Sequence, residues 1–206
     1  MDQIQFRFKT FIIFESMRKT CSHYLVFWGL CFSCASFAQN NLLDKFILPG
    51  YQFLDSLSGD LNLDGKNDLL VILKPAGEDT ASVYKEELVL RPLLILIRQP
   101  DGTLKQQARN DEAVMCSQCG GVFGDPYQRM VISDGYFSIE HYGGSTDRWT
   151  DTITFRYDKG KKKWFLHKCE GENTNVFEPE KTSSWLKTTK DFGNVEFTAF
   201  KRDILN

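Results

Sequence analysis

Apolar residues along this chain gather into short runs separated by Gly, Asp, Asn and Pro, the pattern of strands broken by tight turns. Asp68 to Lys74 (DLLVILK) is a compact apolar run suited to a buried strand, and Leu88 to Arg98 is a second. Gln99-Pro100-Asp101-Gly102 then turns the chain toward a strand over Leu104 to Gln107. Tyr127 to Ser133 and Tyr136 to Tyr142 flank Asp134-Gly135, a hairpin signal because both central residues of a type I′ turn need positive φ. Thr150 to Tyr157 and Lys163 to Lys168 flank a further hairpin over Asp158-Lys159-Gly160-Lys161, and Val195 to Phe200 alternates as one more strand. Helix is scarce: a turn or two over the polar Gly77 to Glu87, and a short helix over Pro179 to Lys187 around Trp185. The pattern predicts a mainly β fold. It is a single antiparallel β domain, a hairpin meander that is sandwich- or partial-propeller-like, with short helical segments.

The N-terminus departs from this pattern. Met17-Arg18-Lys19 opens a basic stretch, Leu25 to Phe37 is continuously apolar, and Ser36-Phe37-Ala38 supplies the small-x-small sequence that a signal peptidase accepts. The run is shorter than the roughly 20 residues of a membrane span. Residues 1–38 therefore read as a signal peptide and 39–206 as the mature domain, beginning at Gln39, with no transmembrane segment in it. Met17 followed by Arg18-Lys19 makes an ordinary signal peptide by itself, so translation starting at Met17 is favoured over a long leader extension. A lipoprotein reading through Cys34 is weaker, because Cys31 stands where a lipobox wants Leu. The expected location is the periplasm, the cell surface or the medium.

Composition adds two constraints. An apolar share of 42% with 17 Phe is ample for a packed core, which sets disorder aside for most of the chain. A formal charge of −2 is too small to predict a nucleic-acid or membrane-surface partner.

One segment carries recognisable metal chemistry. Asp60-Leu61-Asn62-Leu63-Asp64-Gly65-Lys66-Asn67-Asp68 has oxygen-bearing side chains at its first, third, fifth and ninth positions and glycine at the sixth. Calcium is a hard cation that takes six to eight oxygens. Asp60, Asn62 and Asp64 would converge as the chain wraps, Gly65 would permit the turn, Lys66 would offer its carbonyl and Asp68 would close the set. An EF-hand continues to Glu at position 12, whereas here that position is Val71, inside an apolar strand, so the loop leads into a sheet. A polar turn without metal is the plainer reading, since the same residues favour turns. It does not demand oxygens at alternate positions.

The stretch Gly59 to Leu73 (GDLNLDGKNDLLVIL) resembles the calcium loop of FG-GAP and VCBS-type repeats, present here in one copy. That resemblance implies Ca2+ as the cofactor and a β setting for the loop. A longer one joins Arg91-Pro92-Leu93-Leu94-Ile95-Leu96, Gly124-Asp125-Pro126, Gly143-Gly144-Ser145, Arg148-Trp149, Thr154-Phe155-Arg156-Tyr157 and Trp164. It is similar to small exported bacterial proteins of unknown function, and implies a shared fold and compartment without an activity.

Three other constellations are weighed against simpler explanations. Cys116-Ser117-Gln118-Cys119 is a C-x-x-C followed by Gly120-Gly121, loop chemistry rather than the helix start a redox pair needs. With Cys169 it makes three disulfide candidates, and a bridge from Cys169 to Cys116 or Cys119 is expected because it would constrain a longer loop. His141, Asp147 and Asp125 cluster around glycine turns and could form a hydrolase site, although no nucleophile elbow accompanies them. Lys161-Lys162-Lys163 reads as a solvated hairpin tip, with an anionic glycan or headgroup contact as the sharper alternative. The leading expectation is a non-enzymatic calcium-stapled β domain that binds a protein or glycan partner. A secreted hydrolase, or an inhibitor or immunity-like partner of another exported protein, are the alternatives.

Overall fold

The computed structural model describes residues 42–78 and 90–205. The expected signal peptide, the start at Met17 and the alternative anchor Cys34 lie outside the described residues. So does most of the helical turn expected over Gly77 to Glu87. The chain divides into two compact units, Met1–Phe46 and Ile47–Asn206. Of the first, the described part ends in a 3-10 turn, Asp44–Phe46. All that follows concerns the second.

Among the described residues, nine strands make two antiparallel meanders. The first sheet runs β1 (Tyr51–Gly59), β2 (Asp68–Pro75), β3 (Arg91–Arg98), β4 (Leu104–Val114), paired in that order. The second runs β5 (Tyr127–Ser133), β6 (Tyr136–Gly144), β7 (Asp147–Asp158), β8 (Lys163–Asn175), β9 (Glu178–Thr188), again in sequence order. Mainly β, antiparallel and meandering is thus the fold, with two separate sheets and no closed barrel. Among the described residues no helix is long and apolar enough to cross a membrane.

The two sheets share one core. Leu70, Ile72, Leu93 and Ile95 of the first sheet meet Phe137, Ile139, Ile153, Phe155 and Leu166 of the second. β2 and β3 are buried along both faces, since Leu69, Val71, Leu94 and Leu96 are as enclosed as their alternating neighbours. That explains why DLLVILK and RPLLILIR are continuous apolar runs instead of the in–out alternation of a sheet wet on one side. Pro92, which cannot donate to a ladder, falls at the register shift between β3 and β4.

Along one side the sheets are drawn together by β1 and β5. Tyr127 donates its hydroxyl to Asp55 Oδ2 at 2.6 Å. A Cβ on Gly59 would stand 2.8 Å from Ile132 Cγ2, so only glycine allows that approach. Along the other side the C-terminal segment plugs the gap. Phe197 and Phe200, on a 3-10 turn (Phe197–Ala199), pack into the core while Asn110 Nδ2 donates to both of their carbonyls at 2.8 Å.

Two sequence expectations are corrected here. Pro179 to Lys187 is strand β9 and not a helix, pairing Gly171 with Trp185 and Asn173 with Ser183. The exposed edge of β8 supplies the partner, and Pro179 is tolerated because β9 is itself an edge strand. The only helix in this region, α1 (Thr189–Phe192), follows a capping box from Thr188 and Asp191. Val195 to Phe200 is not an alternating strand either. Its apolar residues Phe197 and Phe200 are three apart, which puts them on one side of a 3-10 turn. Its link to β8 is an isolated bridge from Glu196 to Phe165, with Leu166 N–H donating to the Val195 carbonyl at 2.8 Å.

Candidate functional site

The Asp60–Asp68 segment links β1 to β2, and two left-handed residues wind it: Leu63 at φ 60° and Gly65 at φ 82°. Leu63 spends its side chain on Gly135 of the β5–β6 turn, where a Cβ would come within 2.9 Å of Leu63 Cγ. Trp164 Nε1 donates to the Leu61 carbonyl at 3.0 Å, so the loop is tied down at its buried end.

Within the loop the alternate side chains converge. The Asp64 amide is shared by Asp60 Oδ1 at 3.2 Å and Asn62 Oδ1 at 3.0 Å. Gly65 N–H donates to Asp60 Oδ2 at 2.9 Å, and Lys66 N–H to Asp64 Oδ1 at 2.9 Å. Asn62 Nδ2 reaches Asp64 Oδ2 at 3.3 Å. The carboxylates of Asp60 and Asp64 and the amide oxygen of Asn62 are thereby drawn to one exposed place.

Asp68 is placed differently. It is fully buried, and its two oxygens accept from Leu61 N–H at 3.1 Å and Arg98 N–H at 2.9 Å. Burial pushes its pKa up; those two amides pull it down, and the nearby Asp64 and Asp60 charges push it up again. Asp68 pins the loop to the β3–β4 hairpin. Among the described residues, no three His, Cys, Asp or Glu side chains come together to hold a metal ion. What the loop offers a cation is two carboxylates, one amide oxygen and a carbonyl.

The thiols correct the expected cross-link. Cys116 bonds Cys119, and Cys169 is free and buried. Cys169 lies on β8 facing the core, where burial raises its pKa to about 12, while the bridged pair sits in the loop between β4 and β5. Asp125, His141 and Asp147 each have partners of their own, although the Asp125 charge is felt at His141. Asp125 accepts from Arg91 at 2.8 and 2.6 Å, and Asp147 accepts from Asn175 at 2.7 Å. Lys163 pairs with Glu196 at 2.8 Å and Lys161 lies 4.5 Å over the Phe165 ring, so two of the three basic tip residues are engaged with their own domain.

His141 belongs to a buried polar group that the sequence does not reveal. Met115 N–H donates to its Nε2 at 3.2 Å, and its Nδ1 lies 3.4 Å from Asp151 Oδ2 and 3.1 Å from Arg202 Nη2. Arg202 bonds Asp151 Oδ2 at 2.8 Å and the Ala113 carbonyl at 3.1 Å. Burial, the largest cause, lowers the His141 pKa; Asp151 opposes it and Arg202 adds to it. A neutral buried His favours folding above its ordinary value of about 6.5 and loses that contribution as pH falls below it. Denaturation midpoints should therefore decline from pH 7.5 toward pH 5, and His141→Gln should flatten the decline in that window. An unchanged slope in the variant would show that other groups set it. The signal available in sequence was only that His141 and Asp151 fall in predicted strands; their cross-strand pairing needs the register.

The chain matches no protein-family model, no curated protein and no solved structure.

Proposed function

We propose that this chain is an exported β-sandwich binding domain whose Asp60–Asp68 loop is stapled by one calcium ion. The observation that carries the reading is the interlocking of Asp60, Asn62 and Asp64: oxygens of Asp60 and Asn62 accept from the Asp64 and Gly65 amides, and those of Asp64 accept from Asn62 Nδ2 and the Lys66 amide. These side chains and the Lys66 carbonyl would hold the ion, and Asp68 would brace the loop from its buried position. The ion would supply positive charge between carboxylates that otherwise repel. Its role is structural: it would fix the β1–β2 connection on which the β5–β6 turn and Trp164 rest.

The experiment is a pair of thermal melts, with EDTA and with millimolar calcium. An ion bound only by the folded state stabilises by about 2.7 kcal/mol at a hundredfold excess over Kd. Asp64→Ala should remove the difference between the two melts. No shift in the wild type, together with no calcium heat in calorimetry, would reduce the loop to a polar turn.

A further inference from the structure

The outer face of the second sheet is dished into a shallow trough of about 470 Å3. Its shape follows from which residues stand in register. Across one row, Val131 of β5 pairs with Ser138 of β6, Ser138 with Thr154 of β7, and Thr154 with Lys168 of β8. Across the next, Arg129, Glu140, Thr152 and Glu170 follow in the same order. In the first row Ser138 and Thr154 hold the middle, and in the second Thr152 stands between the longer Glu140 and Glu170. Thr154 is only 5% exposed although it lies on the face away from the core, because its taller neighbours enclose it. The exposed face of an antiparallel sheet carries polar residues as a matter of course, but it does not need a hollow.

The chemistry of the hollow is specific. Ser138 Oγ and Thr154 Oγ1 share a hydrogen bond of 2.9 Å on the floor. Tyr136 forms one wall, with the His167 ring edge-on at 5.1 Å. Burial, aided by Arg156 and Lys168, lowers the His167 pKa, so this wall is uncharged at neutral pH. Glu140 is held by Arg129 at 2.8 Å, and Glu170 by Lys168, which fixes two carboxylates at the rim.

We propose that this trough binds a neutral polyhydroxylated ligand, one or two sugar rings of a glycan. A sugar offers hydroxyls to rim carboxylates and floor hydroxyls, and an apolar C–H face to an aromatic ring such as Tyr136. An anion is disfavoured, because Asp134, Glu140 and Glu170 line the trough against Lys168. An extended peptide would need a free strand edge, and β6 and β7 are each paired on both sides. An apolar ligand would leave the charges of Asp134, Glu140, Glu170 and Lys168 around it without a partner of its own. The proposal gives the binding role above a ligand class; it uses none of the calcium-loop residues.

The test is calorimetry of the full chain with chitotetraose and maltotetraose, alongside a printed array of neutral and uronic-acid oligosaccharides. The expected result is binding to neutral glycans that persists in EDTA. Ser138→Phe, which fills the floor, should weaken it by about tenfold or more with unchanged melting. Thr152→Phe repeats the test from the adjoining strand if the first variant melts early. No binding on the array and in calorimetry, a preference for uronic acids, or full affinity in a folded plugged variant would each overturn the site. Loss of the calcium shift with glycan binding intact would overturn only the calcium reading.

Discussion

Arg91→Met will lower folding stability by about 3–5 kcal/mol, the cost of removing one partner from a buried ion pair. Arg91 opens β3 and is 1% exposed. Its guanidinium donates to Glu78 at 3.0 and 2.8 Å, to Asp125 at 2.8 and 2.6 Å, and to the Met115 carbonyl at 3.3 Å. Burial alone would drive its pKa down, but the bonds from Asp125 and Glu78 outweigh burial and raise it. The damage on replacement falls on Glu78, whose side chain is 4% exposed, whereas Asp125 at 42% can turn to water. Urea denaturation should show the loss, and adding Glu78→Gln should recover part of it by removing the stranded charge. A single-variant loss under about 1 kcal/mol would mean that the pair contributes little net stability.

Arg91 also shows where sequence reasoning stops. Its place in the apolar run Leu88–Ile97 is visible as an interruption, yet nothing in the run names Glu78 and Asp125 as partners, because both lie in loops brought near by the fold. Strands whose turns carry their own chemistry were legible. Asp134 at φ 49° and Gly135 at φ 76° are the left-handed pair that an Asp-Gly hairpin demands, and β5 and β6 follow from it. β9 was not legible, because an edge strand exposed along most of its length has no burial pattern to display.

The site divides in the same way. Alternation of Asp60, Asn62 and Asp64 is a local property, so their convergence could be anticipated from spacing. Asp68 shares that spacing, but its neighbours Leu61 and Arg98 are set by strand pairing, and they take both of its oxygens. The cysteines teach the opposite lesson: the longer cross-link is favoured by chain entropy, but Cys169 faces the core on β8 while Cys116 and Cys119 close a short loop on each other. The trough required register across four strands, since Ser138, Thr152 and Thr154 are unremarkable until Val131, Glu140, Lys168 and Glu170 are set around them.

Phe155→Ala is the second change with a large expected effect, about 3–5 kcal/mol. Phe155 is fully buried and touches three other rings. It stacks on Phe137 at 5.1 Å and meets Phe197 and Phe200 nearly perpendicular, at 5.1 and 5.4 Å. Two of those rings belong to the C-terminal segment, so the cavity would open where that segment seals the two sheets. Phe200 and Ala199 amides, bonded to Phe197 and Glu196 carbonyls at 3.2 and 2.9 Å, should then exchange with deuterium faster than amides of β2 and β3. Phe155→Leu keeps most of the volume and should cost under about 1.5 kcal/mol, with the terminal amides still protected. Equal losses in the two variants, or unchanged exchange after Phe155→Ala, would show that the C-terminal segment is held by its polar ties to Asn110, Lys163 and Leu166 and not by the aromatic cluster.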